Sequence, residues 1–163
     1  MLCIEDSSEP RELQLNPNQH LQLYGNATRF LKYLNCQNIT ELKICDGIEK
    51  STTIEDLHLC ISLTSLCIGH CNDEILLSVA PYTQIKKLDL FKYPKIKLNY
   101  LERLTFLQKL TIHGSTNINE LMEKLRFFTQ LTYLHICGNF LCGLCFRKFE
   151  EDIEESENDN DHE

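Results

Sequence analysis

Residues 63–71 read LTSLCIGHC and residues 131–139 read LTYLHICGN, and the pattern they share decides the fold. Each opens on an aliphatic residue, places a second three positions on and a third two positions after that. The same triplet recurs as Ile39-Leu42-Ile44, Leu63-Leu66-Ile68, Ile85-Leu88-Leu90, Leu107-Leu110-Ile112 and Leu131-Leu134-Ile136, at offsets of 24, 22, 22 and 24 residues. A fixed period of that size means one supersecondary unit repeated in a stack, because a lone unit cannot bury its apolar face. Within each unit the second and third aliphatics alternate with polar residues, as in Thr64-Ser65-Leu66-Cys67-Ile68, which is the period-two signature of a short strand. A more helical spacing follows: Leu76, Leu77 and Ala80; Leu98, Leu101 and Leu104; Ile118, Leu121, Leu125 and Phe128. Strands about 4.8 Å apart in register form a parallel sheet, and bulkier arcs on the outside curve it. The expected architecture is an α/β solenoid with a curved parallel sheet on its concave face and helical or irregular convex segments.

Working outward, Leu21-Gln22-Leu23-Tyr24-Gly25-Asn26 fits the second half of the pattern, with Leu31 and Leu34 on its helix, and gives a weaker sixth unit. Residues 10–18 repeat it more faintly. The chain then divides into residues 1–17, an N-terminal segment with room for a capping unit; 18–140, the repeats, five clear and one weak; 141–149, a C-terminal cap; and 150–163, an acidic tail.

These residues resemble the leucine-rich repeat family, whose unit runs L-x-x-L-x-L-x-x-N/C. Residues 63–71 and 131–139 match every defined position with Ile taken as a leucine equivalent. Residues 107–115 end on Ser115, while the units beginning at Ile39 and Ile85 depart there with Gly47 and Tyr93. The resemblance implies that the last side chain hydrogen-bonds backbone in the turn, so the turns at Gly47 and Tyr93 are expected to be held less well. Two subfamilies are similar in part. Cys71-Asn72-Asp73-Glu74-Ile75-Leu76 resembles the cysteine-containing repeats of F-box proteins, which imply substrate recognition for a ubiquitin ligase. Gln130-Leu131-Thr132-Tyr133-Leu134 with the acidic tail resembles acidic leucine-rich nuclear regulatory proteins. The family implies a fold and a binding role, and leaves the ligand open.

At 163 residues the chain suits one elongated domain. Its formal charge is -8, yet residues 150–163 hold nine of the 24 acidic side chains and none of the 16 basic ones, leaving the body near neutral. Nothing in that balance argues for nucleic acid, and no apolar run suggests a membrane segment or secretory signal. A monomer in the cytoplasm is expected, with the nucleus as the alternative compartment, and the nine cysteines are then read as reduced thiols. A tail of like charge with almost no apolar content is expected to stay disordered and to attract a basic partner at long range.

Core leucines at repeat positions four and six leave positions three, five and seven on the concave face. The C-terminal half of that face offers Phe91, His113, Tyr133 and His135 flanked by Lys87, Asp89 and Lys109. Aromatics amid charges have the composition of a protein-binding hot spot, so these seven residues are the candidate protein-binding site. Cys142-Gly143-Leu144-Cys145 is a C-x-x-C with His135 and Cys137 upstream. One such pair is a weak zinc signal, and the expectation is that Cys142 and Cys145 help an apolar stretch close the end of the stack. No cofactor or metal is expected. No nucleophile elbow, phosphate-binding glycine loop or H-E-x-x-H motif occurs, so no catalysis is expected either.

Overall fold

The computed structural model describes residues 2–4, 20–24, 31–45, 54–93, 98–114, 118–137 and 142–147. Eight strands run in sequence order through one sheet: β1 (Leu2–Ile4), β2 (His20–Leu23), β3 (Glu41–Ile44), β4 (Ser65–Ile68), β5 (Lys87–Tyr93), β6 (Lys109–Gly114), β7 (Tyr133–Cys137) and β8 (Cys142–Arg147). β1 to β7 are parallel, each paired with the next, and β8 returns antiparallel to β7. The fold is therefore α/β, with a seven-strand parallel sheet. Helical segments are short: α1 (Asp73–Val79), α2 (Ile118–Leu125), and single stretches of 3-10 helix at Cys36–Asn38, Glu55–Leu59 and Leu98–Arg103.

Register follows the repeat. Leu21, Leu42, Leu66, Leu88, Leu110 and Leu134 are successive partners across the sheet, and so are Leu23, Ile44, Ile68, Leu90, Ile112 and Ile136. All twelve are buried, so both ladders form one side of a continuous core. Because side chains alternate between faces with a period of two, burying these rows sends positions three, five and seven to the opposite face. The other side of the core comes from the returning segments, through Leu57, Cys60, Ile75, Leu76, Val79, Leu101, Leu104, Leu121 and Phe128.

The returns are built alike. The N–H of the first aliphatic in each unit donates to a carbonyl three residues back, as Ile39 to Cys36, Leu63 to Cys60, Ile85 to Tyr82, Leu107 to Leu104 and Leu131 to Phe128, at 3.0–3.1 Å. Just upstream, Cys60, Tyr82, Leu104 and Phe128 donate to Leu57, Val79, Leu101 and Leu125. Consecutive i to i+3 bonds make a tight arc that still satisfies buried backbone, which a chain entering a core must do. Between units, the carbonyls of Thr40, Thr64, Lys86 and Gln108 each accept two N–H groups from the next unit. Stacking is thus a covering of both apolar side chains and main-chain polar groups.

Three features depart from the sequence reading. Residues 2–4, within the segment set apart as N-terminal, form β1 and pair with β2, Leu2 against Leu21 and Ile4 against Leu23. Leu77 does not share the buried face of α1 and stays 56% exposed, while Ile75, Leu76, Val79 and Ala80 are buried. At about 100° per residue, 75, 76, 79 and 80 fall together and 77 turns away. The closing stretch 142–147 is a paired strand, and an antiparallel one. Residues 10–18, Gly47, Ser115, Asn139 and the tail 150–163 lie outside the described residues.

Candidate functional site

The seven candidate residues come from three adjacent strands. Lys87, Asp89 and Phe91 are on β5, Lys109 and His113 on β6, and Tyr133 and His135 on β7. Register sets Lys87 beside Lys109 and Lys109 beside Tyr133, and below them Asp89 beside Thr111 and Thr111 beside His135. All seven lie on the sheet face turned away from the core, exposed or half-buried, alternating with the buried ladder.

An aromatic run crosses this face. The Phe91 and His113 rings stack at 4.2 Å between centroids with 8° between planes, and His113 meets His135 at 5.6 Å in a tilted arrangement. Phe91 and His113 each follow directly on the paired Leu90 and Ile112, and beyond them the register shifts: the next pair is Tyr93 with Gly114, so β5 spends an extra residue against β6. Lys87 Nζ lies 3.3 Å from Asp89 Oδ2, the lysine 44% and the aspartate 17% exposed. Burial lowers the pKa of His113 from its ordinary value and the neighbouring His135 lowers it further, against a smaller opposing pull from Asp89. His113 therefore favours the neutral form, whose ring stacks on Phe91 without a charge to solvate.

The amino-terminal half of the same face carries a polar cluster absent from the candidate set. The side-chain nitrogen of Gln22, 8% exposed, donates to Tyr24 Oη at 2.5 Å and to Cys45 Sγ at 3.0 Å. His20 Nδ1 lies 2.6 Å from Glu41 Oε2 across β2 and β3. Positions five and seven of the repeat were the signal for this cluster, since Gln22, Tyr24 and Cys45 occupy them.

Three of the described thiols, Cys60, Cys67 and Cys71, suit packing better than chemistry, whereas the contact with Cys60 lowers the pKa of Cys36. Cys3, Cys36, Cys45, Cys60, Cys67, Cys71 and Cys137 lie outside any disulfide. Burial pushes Cys67 up to about 11, with Asp89 adding to the effect, and raises Cys71 still further. The contact with Cys36 raises Cys60, helped by burial. A thiol protonated at neutral pH is a poor nucleophile and behaves as a small apolar group. Among the described residues no three His, Cys, Asp or Glu side chains converge as a metal site, and no helix is long and apolar enough to cross a membrane.

Comparison with protein-family models, with curated proteins and with solved structures finds no match to this chain. What it does must be argued from the sheet face itself.

Proposed function

We propose that the chain is a leucine-rich repeat solenoid that binds another protein on the concave face of its sheet and catalyses no reaction. The repeat reading is supported by six-fold ladders in register, by the recurring return turn and by the period of 22 to 24 residues. The observation that carries the binding reading is the Phe91–His113–His135 run, bordered by Lys87, Asp89, Lys109 and Tyr133 on one face. Rings already fixed by stacking lose little freedom when a partner covers them, and the bordering charges give a polar rim. Such a face is wide and open, which suits a protein surface or extended segment better than a small molecule.

Two narrower roles fit the same face. Substrate recognition for an F-box type ubiquitin ligase is favoured by Cys71, buried at the start of α1 in the stretch that resembles cysteine-containing repeats. An acidic nuclear regulator is favoured by the tail. The protein acts as a monomer in the cytoplasm or nucleus, with neither nucleic acid nor membrane as its ligand. Affinity capture with mass spectrometry, run in parallel on the unaltered chain and on Phe91→Ala/Tyr133→Ala, tests the proposal. A partner held by the first and lost by the second supports it; a partner held equally by both removes the site from this face. Ligase subunits among the captured proteins select the first narrower role, and histones or phosphatase subunits the second.

A further inference from the structure

Cys36 and Cys60 occupy one position in two consecutive units. Each lies three residues before the first aliphatic of its unit, Ile39 or Leu63, and its carbonyl accepts that residue's N–H in the closing bond of the return. Tyr82, Leu104 and Phe128 hold the same position in the units that follow. Because β3 and β4 pair in register, Leu42 against Leu66 and Ile44 against Ile68, the residues leading into them are set side by side as well. The two thiols are in contact: Cys60 hydrogen-bonds to Cys36, and the Cys36 thiol in turn donates to the Leu31 carbonyl at 3.5 Å. Both side chains are buried in the continuous core, 1% and 0% exposed.

Packing alone does not call for two thiols here, since leucine and phenylalanine fill the same position further along the stack. The spacing is that of a disulfide. Neighbouring strands lie about 4.8 Å apart and stacked units diverge slightly toward their outer side, whereas bridged cysteines have Cα atoms about 4.4–6.8 Å apart. The pair is also asymmetric. The contact with Cys60 holds the Cys36 thiol below its ordinary pKa, against opposing pulls from burial and Asp56, while the same contact and burial raise Cys60. The more acidic thiol is the better attacking group, and its neighbour is placed to resolve the product. Access comes from the arcs that carry the pair. Cys36 begins one 3-10 stretch and Cys60 directly follows another, Glu55–Leu59, and neither stretch has a side-chain cap at its start. Elements this short open locally at a fraction of the cost of unfolding the whole chain.

From this arrangement we infer that Cys36 and Cys60 form a redox-sensitive dithiol, which hydrogen peroxide converts into a disulfide joining two consecutive units. When the arc opens, the Cys36 thiolate attacks the peroxide; the O–O bond breaks, Cys36 becomes a sulfenic acid, and the departing hydroxide takes the proton that Cys36 gave up and leaves as water. On reclosing, the Cys60 sulfur attacks the Cys36 sulfur; the S–O bond breaks, and the Cys60 proton leaves with the hydroxide as a second water. Two thiols lose two electrons, and one peroxide becomes two waters. The bridge ties the return before β3 to the return before β4 and restricts the unfolded chain between two residues 24 apart, so the oxidised form is the more stable one. The inference concerns the core side of the sheet, and stands or falls separately from the partner-binding reading of the opposite face.

The test exposes the full chain, first reduced, to increasing hydrogen peroxide, blocks the remaining thiols by alkylation, and maps the peptides without reduction by mass spectrometry. The expected result is a linked peptide pair joining Cys36 to Cys60, two hydrogens lighter than the separate thiols. The melting temperature of the oxidised chain is expected to rise by about 5 °C or more and to return to its starting value with dithiothreitol. Cys60→Ala should leave Cys36 as a sulfenic acid that dimedone labels, and Cys36→Ala should give neither the bridge nor a label at Cys60. Melting curves of both variants in the reduced state establish that they are folded, and the mapping of the unaltered chain decides the matter should either fail to fold. Cys71→Ala, which removes another buried thiol, still forms the bridge, and so does Phe91→Ala/Tyr133→Ala. A folded chain in which Cys36 and Cys60 stay free after its exposed Cys3 has been oxidised overturns the inference, as does a folded Cys60→Ala variant that dimedone labels at other cysteines and not at Cys36.

Discussion

Single side chains in this molecule divide sharply by which face of the sheet they take. Leu110 is fully buried between Leu88 and Leu134 in one ladder, whereas Leu77 is 56% exposed on α1. Truncating Leu110 to Ala removes buried methyl groups and leaves a cavity that neighbouring units cannot fill, so it is expected to cost about 2–5 kcal/mol. Leu77→Ala is expected to change stability by no more than about 0.5 kcal/mol. Denaturant titration of the two variants checks the contrast, and equal losses would mean that the assigned register is wrong. On the opposite face, His113 has a pKa lowered by burial and by His135. The folded chain thus binds fewer protons at this site than the unfolded chain, and stability rises with pH across the window. The contribution is complete above about 6.5, the unfolded value, and is lost as pH falls below it toward the folded value. His113→Phe, which keeps a ring against Phe91, should therefore lose less stability than the unaltered chain between about pH 7.5 and about pH 5.5. Denaturant titrations at both pH values measure it; parallel losses would show that His113 does not carry the dependence.

Elements here are short, and each is held by a local device plus its neighbours. α1 begins at Asn72, whose side-chain oxygen accepts the Ile75 N–H at 2.8 Å, with Asp73 and Glu74 in the first turn. Asn72→Ala is expected to cost about 0.5–2 kcal/mol, and Asn72→Asp much less, because aspartate keeps the acceptor and favours the positive end of the helix. Melting curves of the two variants separate the cap from the helix's own propensity. By contrast, Glu55–Leu59 has no side-chain cap at Ile54 and remains a 3-10 stretch. The five strands β3 to β7 were legible in the sequence because two periods coincide there, two residues for the strand and 22 to 24 for the unit, and β2 was legible as a weaker copy. β1 was not, since three residues carry only one alternation, and their pairing with β2 is a long-range fact. β8 was read as an apolar closing stretch because direction of pairing leaves no mark on a single strand's pattern. For the candidate site, the columns of repeat positions gave the residues that share a face. They set Phe91 beside His113 but could not give the parallel stacking of the two rings, or the Gln22–Tyr24–Cys45 contacts, which depend on side-chain reach across strands.

At the scale of the whole molecule, a near-neutral body and a strongly acidic segment are joined in one chain. The body up to residue 149 is near neutral, with the basic candidates Lys87 and Lys109 side by side in register, while residues 150–163 hold nine acidic side chains. These parts should act on a partner in different ways. Phe91 and Tyr133 offer fixed contact area on the face away from the core, so Phe91→Ala/Tyr133→Ala is expected to lower affinity by at least tenfold, about 1.4 kcal/mol, mostly through faster dissociation. Its melting temperature should stay close to that of the unaltered chain, because neither side chain belongs to the buried ladders. Deleting residues 150–163 should instead slow association and flatten its dependence on salt, because an acidic segment acts over a screening length of about 8 Å at physiological ionic strength and steers encounter more than it fixes the complex. Binding kinetics against the partner recovered by capture, measured for both variants over a range of salt, distinguish the two contributions. Should tail deletion abolish binding while the double aromatic variant binds normally, the docking determinant is the acidic segment, and the ordered face serves to present it.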